Sequence, residues 1–289
     1  PLHAHAFEEE VFLVLEGTLT VRELAPGADT YREYQLYPGE VVVYAPGTGL
    51  AHGFFNHSDT PVTFMGLSDD CGGEVATYPD SGKTLLRNVR KIGVFGDGDD
   101  ADEAVAAANA AARQRPVRSM PDGKRPAHFV SAVAETDLGG VFGQRLSAAG
   151  GARKIMLNRD RVTTGAWTSP LHWHSAEQEL VVVLAGAPTL HQLRGTPAPE
   201  NERGPNGPPD FTAGVAEQVT LRPGDIVHFG PNLPLAHRLH NDGDADCILL
   251  VVGMEDPTDI VFLPEEQRYH VKALRRSGDM VSTPYFAGE

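Results

Sequence analysis

Residues 1–17 read PLHAHAFEEEVFLVLEG, and residues 170–186 read PLHWHSAEQELVVVLAG. A chain that repeats so specific a pattern is bound to build one substructure twice. His3, His5, Glu10 and Gly17 fall on His172, His174, Glu179 and Gly186 at a constant separation of 169 residues. Further on, YPGEVVVYAPGTGLAHGFFN (residues 37–56) faces RPGDIVHFGPNLPLAHRLHN (residues 222–241). There Gly39, Pro46, His52 and Asn56 match Gly224, Pro231, His237 and Asn241 at a separation of 185, which Pro79 and Pro264 keep. The 16 extra residues lie between Gly186 and Gly224, where GTPAPENERGPNGPPDFTAG reads as an enlarged hairpin loop.

Within each repeat the local pattern is β. VFLVL, EVVVYA, VTFMGL, ELVVVL, DIVHFG and CILLVV are short, rich in valine and leucine, and bounded by Gly, Pro, Asn or Asp. Many short strands so punctuated predict an all-β sandwich or barrel in each repeat. ADEAVAAANAAARQRP (residues 101–116) is the one helical stretch, with acids early, arginines late and a closing proline. The expected organisation is a first domain over residues 1–80, an exposed linker over 81–126 with a helix near 101–115, and a second domain over 127–289. AHFVSAVAETD, VFGQRLSA and RKIMLN supply three further expected strands before His172, whereas only Pro1 and Leu2 precede His3. The first domain is therefore expected to lack its native start.

Side chains alternate faces along a strand, so His172 and His174 project to one side and Trp173 to the other. Glu179 opens the next strand, with Val181 and Val183 on its face, and a later strand brings His237 with Leu239 and Asn241. Three imidazoles and a carboxylate converging inside a barrel make a divalent-metal site. The same construction gives His3, His5, Glu10 and His52. Glu10 is preferred to Glu9 because the second repeat has Gln178 where Glu9 stands, and Glu8 and Glu177 are read as surface charges in a turn.

Together these residues resemble the two motifs of the cupin superfamily: H-x-H, a spaced Glu and Gly, then Gly, Pro, His and Asn. Both copies match, over about residues 1–80 and 127–265, so the chain resembles a bicupin. Two departures stand out. The first copy lacks the motif's leading glycine, present as Gly165 in the second, and five residues separate proline from histidine in both second motifs. YPDSGK and LPEEQR resemble a branch of bacterial cupins of unassigned function. The resemblance implies two jelly-roll barrels, up to two divalent metal ions per chain, with Fe(II) or Mn(II) favoured over Zn or Ni, and a small-molecule substrate. Among cupin activities, gentisate-type dioxygenases generally lack the glutamate ligand. Oxalate decarboxylases set it one residue closer and carry an upstream arginine where this chain has GAWTSPL. The expected function is a dioxygenase-type oxidoreductase acting on a small, partly apolar chelating substrate. The alternatives are a metal-dependent isomerase or decarboxylase, or a non-catalytic binding protein.

Charge narrows the partners. With 39 acidic against 24 basic residues the net charge is −15, which repels phosphate backbones and anionic membrane surfaces. No apolar run is long enough to span a bilayer. Cys71 and Cys247 are too few for a disulfide framework, which points to buried free thiols and a cytoplasmic location. Exposed strand edges predict a homo-oligomer, such as a dimer. DSGKT (residues 80–84) lacks the first glycine of a phosphate loop, and the acidic run before the helix lacks the EF-hand glycine. His228 and His240 are expected to face away from His237. Trp173 is expected to pack between sheets or at an interface. Asn56 and Asn241 either fix a turn or touch substrate. Tyr285 and Phe286 either cover a barrel mouth or pack at a dimer contact.

Overall fold

The computed structural model describes residues 1–93, 101–197, 200–201, 204–205, 209–231 and 233–279. Tyr285 and Phe286 lie outside them. The chain divides into two compact units, Pro1–Val133 with Leu146–Ile155, and Ala134–Arg145 with Met156–Glu289.

Each unit is a β-barrel built from the same order of equivalent strands. In the first unit, Phe129–Val130, Val41–Tyr44, Glu10–Glu16 and Thr63–Ser68 form one sheet. Val117–Ser119, Tyr31–Leu36, Leu19–Leu24 and Ala51–Phe55 form another. In the second unit Ile226–Phe229, Glu179–Ala185 and Cys247–Met254 repeat the first arrangement, and Asp210–Thr220, Thr189–Thr196 and Leu235–His240 repeat the second. A third, smaller sheet closes each unit: Ala4–His5 pairs with Val75–Tyr78, and Trp173–His174 with Ile260–Leu263, each followed by two more strands. The ladder slips at equivalent places, between Val14 and Glu16 and between Val183 and Ala185. The enlarged loop does join a hairpin, since Thr189–Thr196 pairs antiparallel with Asp210–Thr220.

The inward positions carry the apolar alternation. Phe12, Val14, Leu19, Val21, Tyr34, Leu36, Val42, Tyr44 and Phe129 make the first core, and Val141, Val162, Val181, Val183, Leu190, Phe229, Leu239 and Leu249 belong to the second. Gly17 and Gly186 end equivalent strands with φ of +80° and +82°. A Cβ at Gly186 would stand 2.5 Å from Cys247 Sγ, so the position needs both the left-handed backbone and the empty space. Gly186→Ala is expected to cost about 2 kcal/mol or more, from backbone strain and overpacking together. Chemical denaturation of the two proteins measures it.

The expected domain limits differ from the observed ones. Residues 81–126 are not a free linker. Lys83–Leu86 and Lys91–Gly93 extend the sheet that holds His5, and Val117–Ser119 runs parallel to Tyr31–Glu33. Of this stretch, the helix Ala101–Gln114 was anticipated. Phe129–Val130, placed by sequence in the second domain, pairs with Val41–Val42 in the first unit. VFGQRLSA is only half strand, because Leu146–Ala149 turns into a short helix. The segment after that helix is tied to the first unit by Glu9, whose carboxylate accepts the amides of Arg153, Lys154 and Ile155. RKIMLN is a strand from Ile155 onward, as expected, since Ile155–Asn158 open the strand Ile155–Val162.

Candidate metal centres

The eight residues singled out by sequence come together as two clusters of four. In the first unit His3, His5, Glu10 and His52 each offer a donor atom, all within 4.8 Å of one another. In the second, donors of His172, His174 and Glu179 lie within the same limit, and His237 Nε2 is 3.6 Å from Glu179 Oε1. The histidine pairs sit on short strands held by reciprocal backbone hydrogen bonds, His3 with His52 and His172 with His237. Strand pairing thus fixes the third histidine opposite the first.

Each ring is aimed by its Nδ1. His3 and His172 donate Nδ1–H to the carbonyl two residues back, Pro1 and Pro170, both at 3.0 Å. His5 Nδ1–H donates to Glu74 Oε1 at 3.2 Å, and His174 Nδ1–H to Asp259 Oδ2 at 2.8 Å. These bonds place the proton on Nδ1 and leave Nε2 as the inward lone pair, the arrangement that orients metal-bound histidines. His52 and His237 are instead clamped by stacking, Tyr44 on His52 at 3.7 Å and Phe229 on His237 at 3.5 Å.

Glu74 and Asp259 were not anticipated, and each gathers four donors. Glu74 also accepts the amides of Ala6, Phe7 and Glu8; Asp259 accepts those of Ala176 and Glu177 and the Ser175 hydroxyl. Both are almost wholly buried. Glu8 and Glu177, read as surface charges, are buried as well, at 2% and 6% exposure. Their charge is met by Arg87 and Lys272. A turn covered by a cation that stands just past the end of a strand, Lys83–Leu86 or Arg268–Val271, rather than an exposed turn, accounts for the difference. The clusters His5–Glu8–Glu74 and His174–Glu177–Asp259 therefore carry their own cation and act as supports. Glu74, Arg87, Asp259 and Lys272 keep the 185-residue separation, which was the signal available to find them.

Electrostatics distinguish the donors. Burial would raise Glu10, yet His5 and His52 bring its pKa down to about 2. Burial likewise opposes ionisation of Glu179, but His172 and His237 carry it well below the carboxylate range. Burial, reinforced by repulsion from His172, lowers His237 to about 4, so this ring is neutral at pH 7. His5 Nε2 and both nitrogens of His237 are buried without a hydrogen-bond partner. An unsatisfied buried nitrogen costs about 1–3 kcal/mol, which a cation at that lone pair would relieve. Three imidazoles and one carboxylate suit a divalent ion of the Mn, Fe, Ni or Zn type. In the metal-free protein, Glu10 stabilises the fold above its unfolded pKa near 4.5, and that contribution is lost as pH falls from 4.5 towards 2. A loss on the order of 3 kcal/mol is expected, and Glu10→Gln should flatten this part of a pH–stability curve.

The space beside the two clusters differs. In the second unit a cavity of about 150 Å³ is lined by Asp160, Thr168, Ser169, His172, Glu179 and the apolar Val181, Leu239, Leu249 and Val251. The positions equivalent to Val181, Leu239 and Leu249 in the first unit are Phe12, Phe54 and Phe64, with ring centroids 4.3–6.3 Å apart. Gly66, equivalent to Val251, makes room for the Phe12 ring, which a Cβ there would meet at 3.0 Å.

The remaining residues fall where alternation places them. His228 is exposed, and His240 stacks on Trp167. Trp173 is buried among Leu171, Phe211, Ala236 and Phe262. Asn56 and Asn241 bind the backbone of the following turn, at Ser58 and Thr60 and at Gly243 and Ala245. Both are turn residues. Cys247 is buried, whereas Cys71 is only partly so.

The family model described as Cupin domain matches residues 1–67. Among solved structures, a deletion variant of oxalate decarboxylase from Bacillus subtilis superposes with a TM-score of 0.50 at 14% identity, over 88% of this chain and 65% of that one. In fold, the protein is a bicupin. The 7S globulin of Momordica charantia gives 0.48 at 12% identity, over 91% of the bicupin and 71% of the globulin. A cupin-superfamily sugar phosphate isomerase from Silicibacter pomeroyi gives 0.38 at 25% identity, over 51% and 82%. No curated protein matches the bicupin in sequence. No described helix is long and apolar enough to cross a membrane.

Proposed function

We propose that the bicupin is a metal-dependent enzyme whose chemistry takes place in the second barrel. His172, His174, Glu179 and His237 would hold the working ion, and His3, His5, Glu10 and His52 a second ion of structural role. The carrying observation is the cavity of about 150 Å³ beside the second cluster, set against the phenylalanines at equivalent first-barrel positions. Cavities of about this volume accommodate a single six-membered ring. A metal with an open coordination position supplies Lewis acidity, and Fe(II) adds electron transfer to O₂.

The chain's own residues do the rest. Val181, Leu239, Leu249 and Val251 exclude water and bind an apolar face, while Glu179 keeps the site anionic towards the ion. A dianion such as oxalate would meet both Glu179 and Asp160 there, which disfavours decarboxylation of small diacids. The reaction best suited to this setting is dioxygenation of a small chelating enol or phenol. Native elemental analysis and oxygen uptake test it. Iron with substrate-dependent O₂ consumption is expected. Bound metal with chelator turnover but no O₂ consumption would replace oxygenation by isomerisation. The free thiols support a cytoplasmic placement, and light scattering checks the expected homo-oligomer.

A further inference from the structure

Asp160 stands out in the second cavity because every other polar wall group is already engaged. Thr168 Oγ1 exchanges hydrogen bonds with the Leu239 backbone, Ser169 Oγ is 3.1 Å from His172 Nδ1, and His172 and Glu179 belong to the metal cluster. The Asp160 side chain has no hydrogen-bond or ion-pair partner among the described residues, although it lies well inside the barrel strand Ile155–Val162. Its cross-strand neighbour is Gly143, where a Cβ would come within 3.2 Å of Asp160 Oδ1. Glycine there leaves the carboxyl room. A half-buried carboxyl with free acceptor atoms, in a cavity otherwise walled by Val and Leu, lacks a donor that the protein does not provide.

We propose that Asp160 selects the substrate, accepting a hydrogen bond from a hydroxyl beside the chelating pair and rejecting molecules with an anionic group there. This deepens the reading of the second barrel as the working site and rests on it. The substrate class is then a single-ring or similarly small chelator with one extra hydroxyl and no second negative charge. Neutral chelators meet only the ion and the apolar walls. Carboxylated ones also meet the fields of Asp160 and Glu179 across a cavity only one ring wide.

The test uses full-length protein loaded with zinc, which does not oxidise phenols, and three matched ligands: catechol, pyrogallol and 2,3-dihydroxybenzoate. They differ only in what sits beside the chelating oxygens: hydrogen, hydroxyl or carboxylate. Calorimetry on wild type should rank pyrogallol over catechol by about ten-fold or more, the worth of one charge-assisted hydrogen bond. Catechol should in turn exceed 2,3-dihydroxybenzoate. Asp160→Asn should leave catechol within about two-fold, since an absent contact cannot be lost. It should also remove most of the penalty on the carboxylate. Asp160→Ala gives the same readings if the amide variant misfolds. Equal affinities in wild type, or a ranking unchanged in both variants, overturns the proposal. Zinc present by elemental analysis with none of the three bound would instead overturn the reading of the second barrel as the working site, and the role of Asp160 with it.

Discussion

Asp259→Ala is expected to destabilise the second barrel by roughly 3–5 kcal/mol and to weaken its hold on a divalent ion by 10–100-fold. The reason lies in how many donors end on one carboxylate. His174 Nδ1, the Ser175 hydroxyl and the amides of Ala176 and Glu177 all point at it, and alanine would strand them. Lys272 and Glu177 would remain as a part-buried pair beside an unsupported turn. His174 would then be free to rotate or to move its proton to Nε2, where it blocks the lone pair meant for the metal. Asp259→Asn separates the two effects. Its carbonyl oxygen can still accept amides, so stability should largely return. The charge that orients His174 is gone, so metal affinity should not return in full. Thermal denaturation with and without metal, alongside competition with a chromophoric chelator, measures both. Equal affinity in wild type and Asp259→Ala would show that the histidine needs no support.

Glu179→Gln and Glu10→Gln are expected to part company. Each removes the only carboxylate of its donor set, so each should lower affinity at its own site by about 100-fold or more and lose one metal equivalent per chain. Only Glu179→Gln should abolish substrate turnover, because the phenylalanines of the first barrel occupy the positions that line the cavity in the second. Glu10→Gln should keep turnover and lose stability, as expected of an ion that ties Pro1–His5 to Ala51–Phe55. Turnover lost in both variants would show coupled or equivalent sites.

The parts of this fold that were legible in sequence are those written twice with constant spacing. Strand punctuation, the H-x-H pairs and the choice of Glu10 over Glu9 all followed from comparing one copy with the other. Where the copies differ in residue type, only charge and spacing carry the match. Glu74 against Asp259 and Arg87 against Lys272 keep charge and separation but not identity, and neither belongs to a pattern with short-range spacing. Glu8 and Glu177 were visible as a pair, yet hydropathy alone assigns a carboxylate in a turn to solvent. Only a cation far along the chain, Arg87 or Lys272, offsets the cost of its burial. Residues 81–126 misled for another reason. Parallel pairing of Val117–Ser119 with Tyr31–Glu33 is a long-range contact with no local signature, so the segment read as a linker.

The support under each metal cluster arrives late in the chain. His5 and Glu74 lie 69 residues apart, and His174 and Asp259 lie 85 apart. At ordinary rates of synthesis the second interval corresponds to a delay on the order of ten seconds. During that time the histidine motif has left the ribosome but nothing holds its proton on Nδ1. The tautomer that leaves Nε2 of His5 and His174 free is therefore fixed only when the hairpin bearing Glu74 or Asp259 docks.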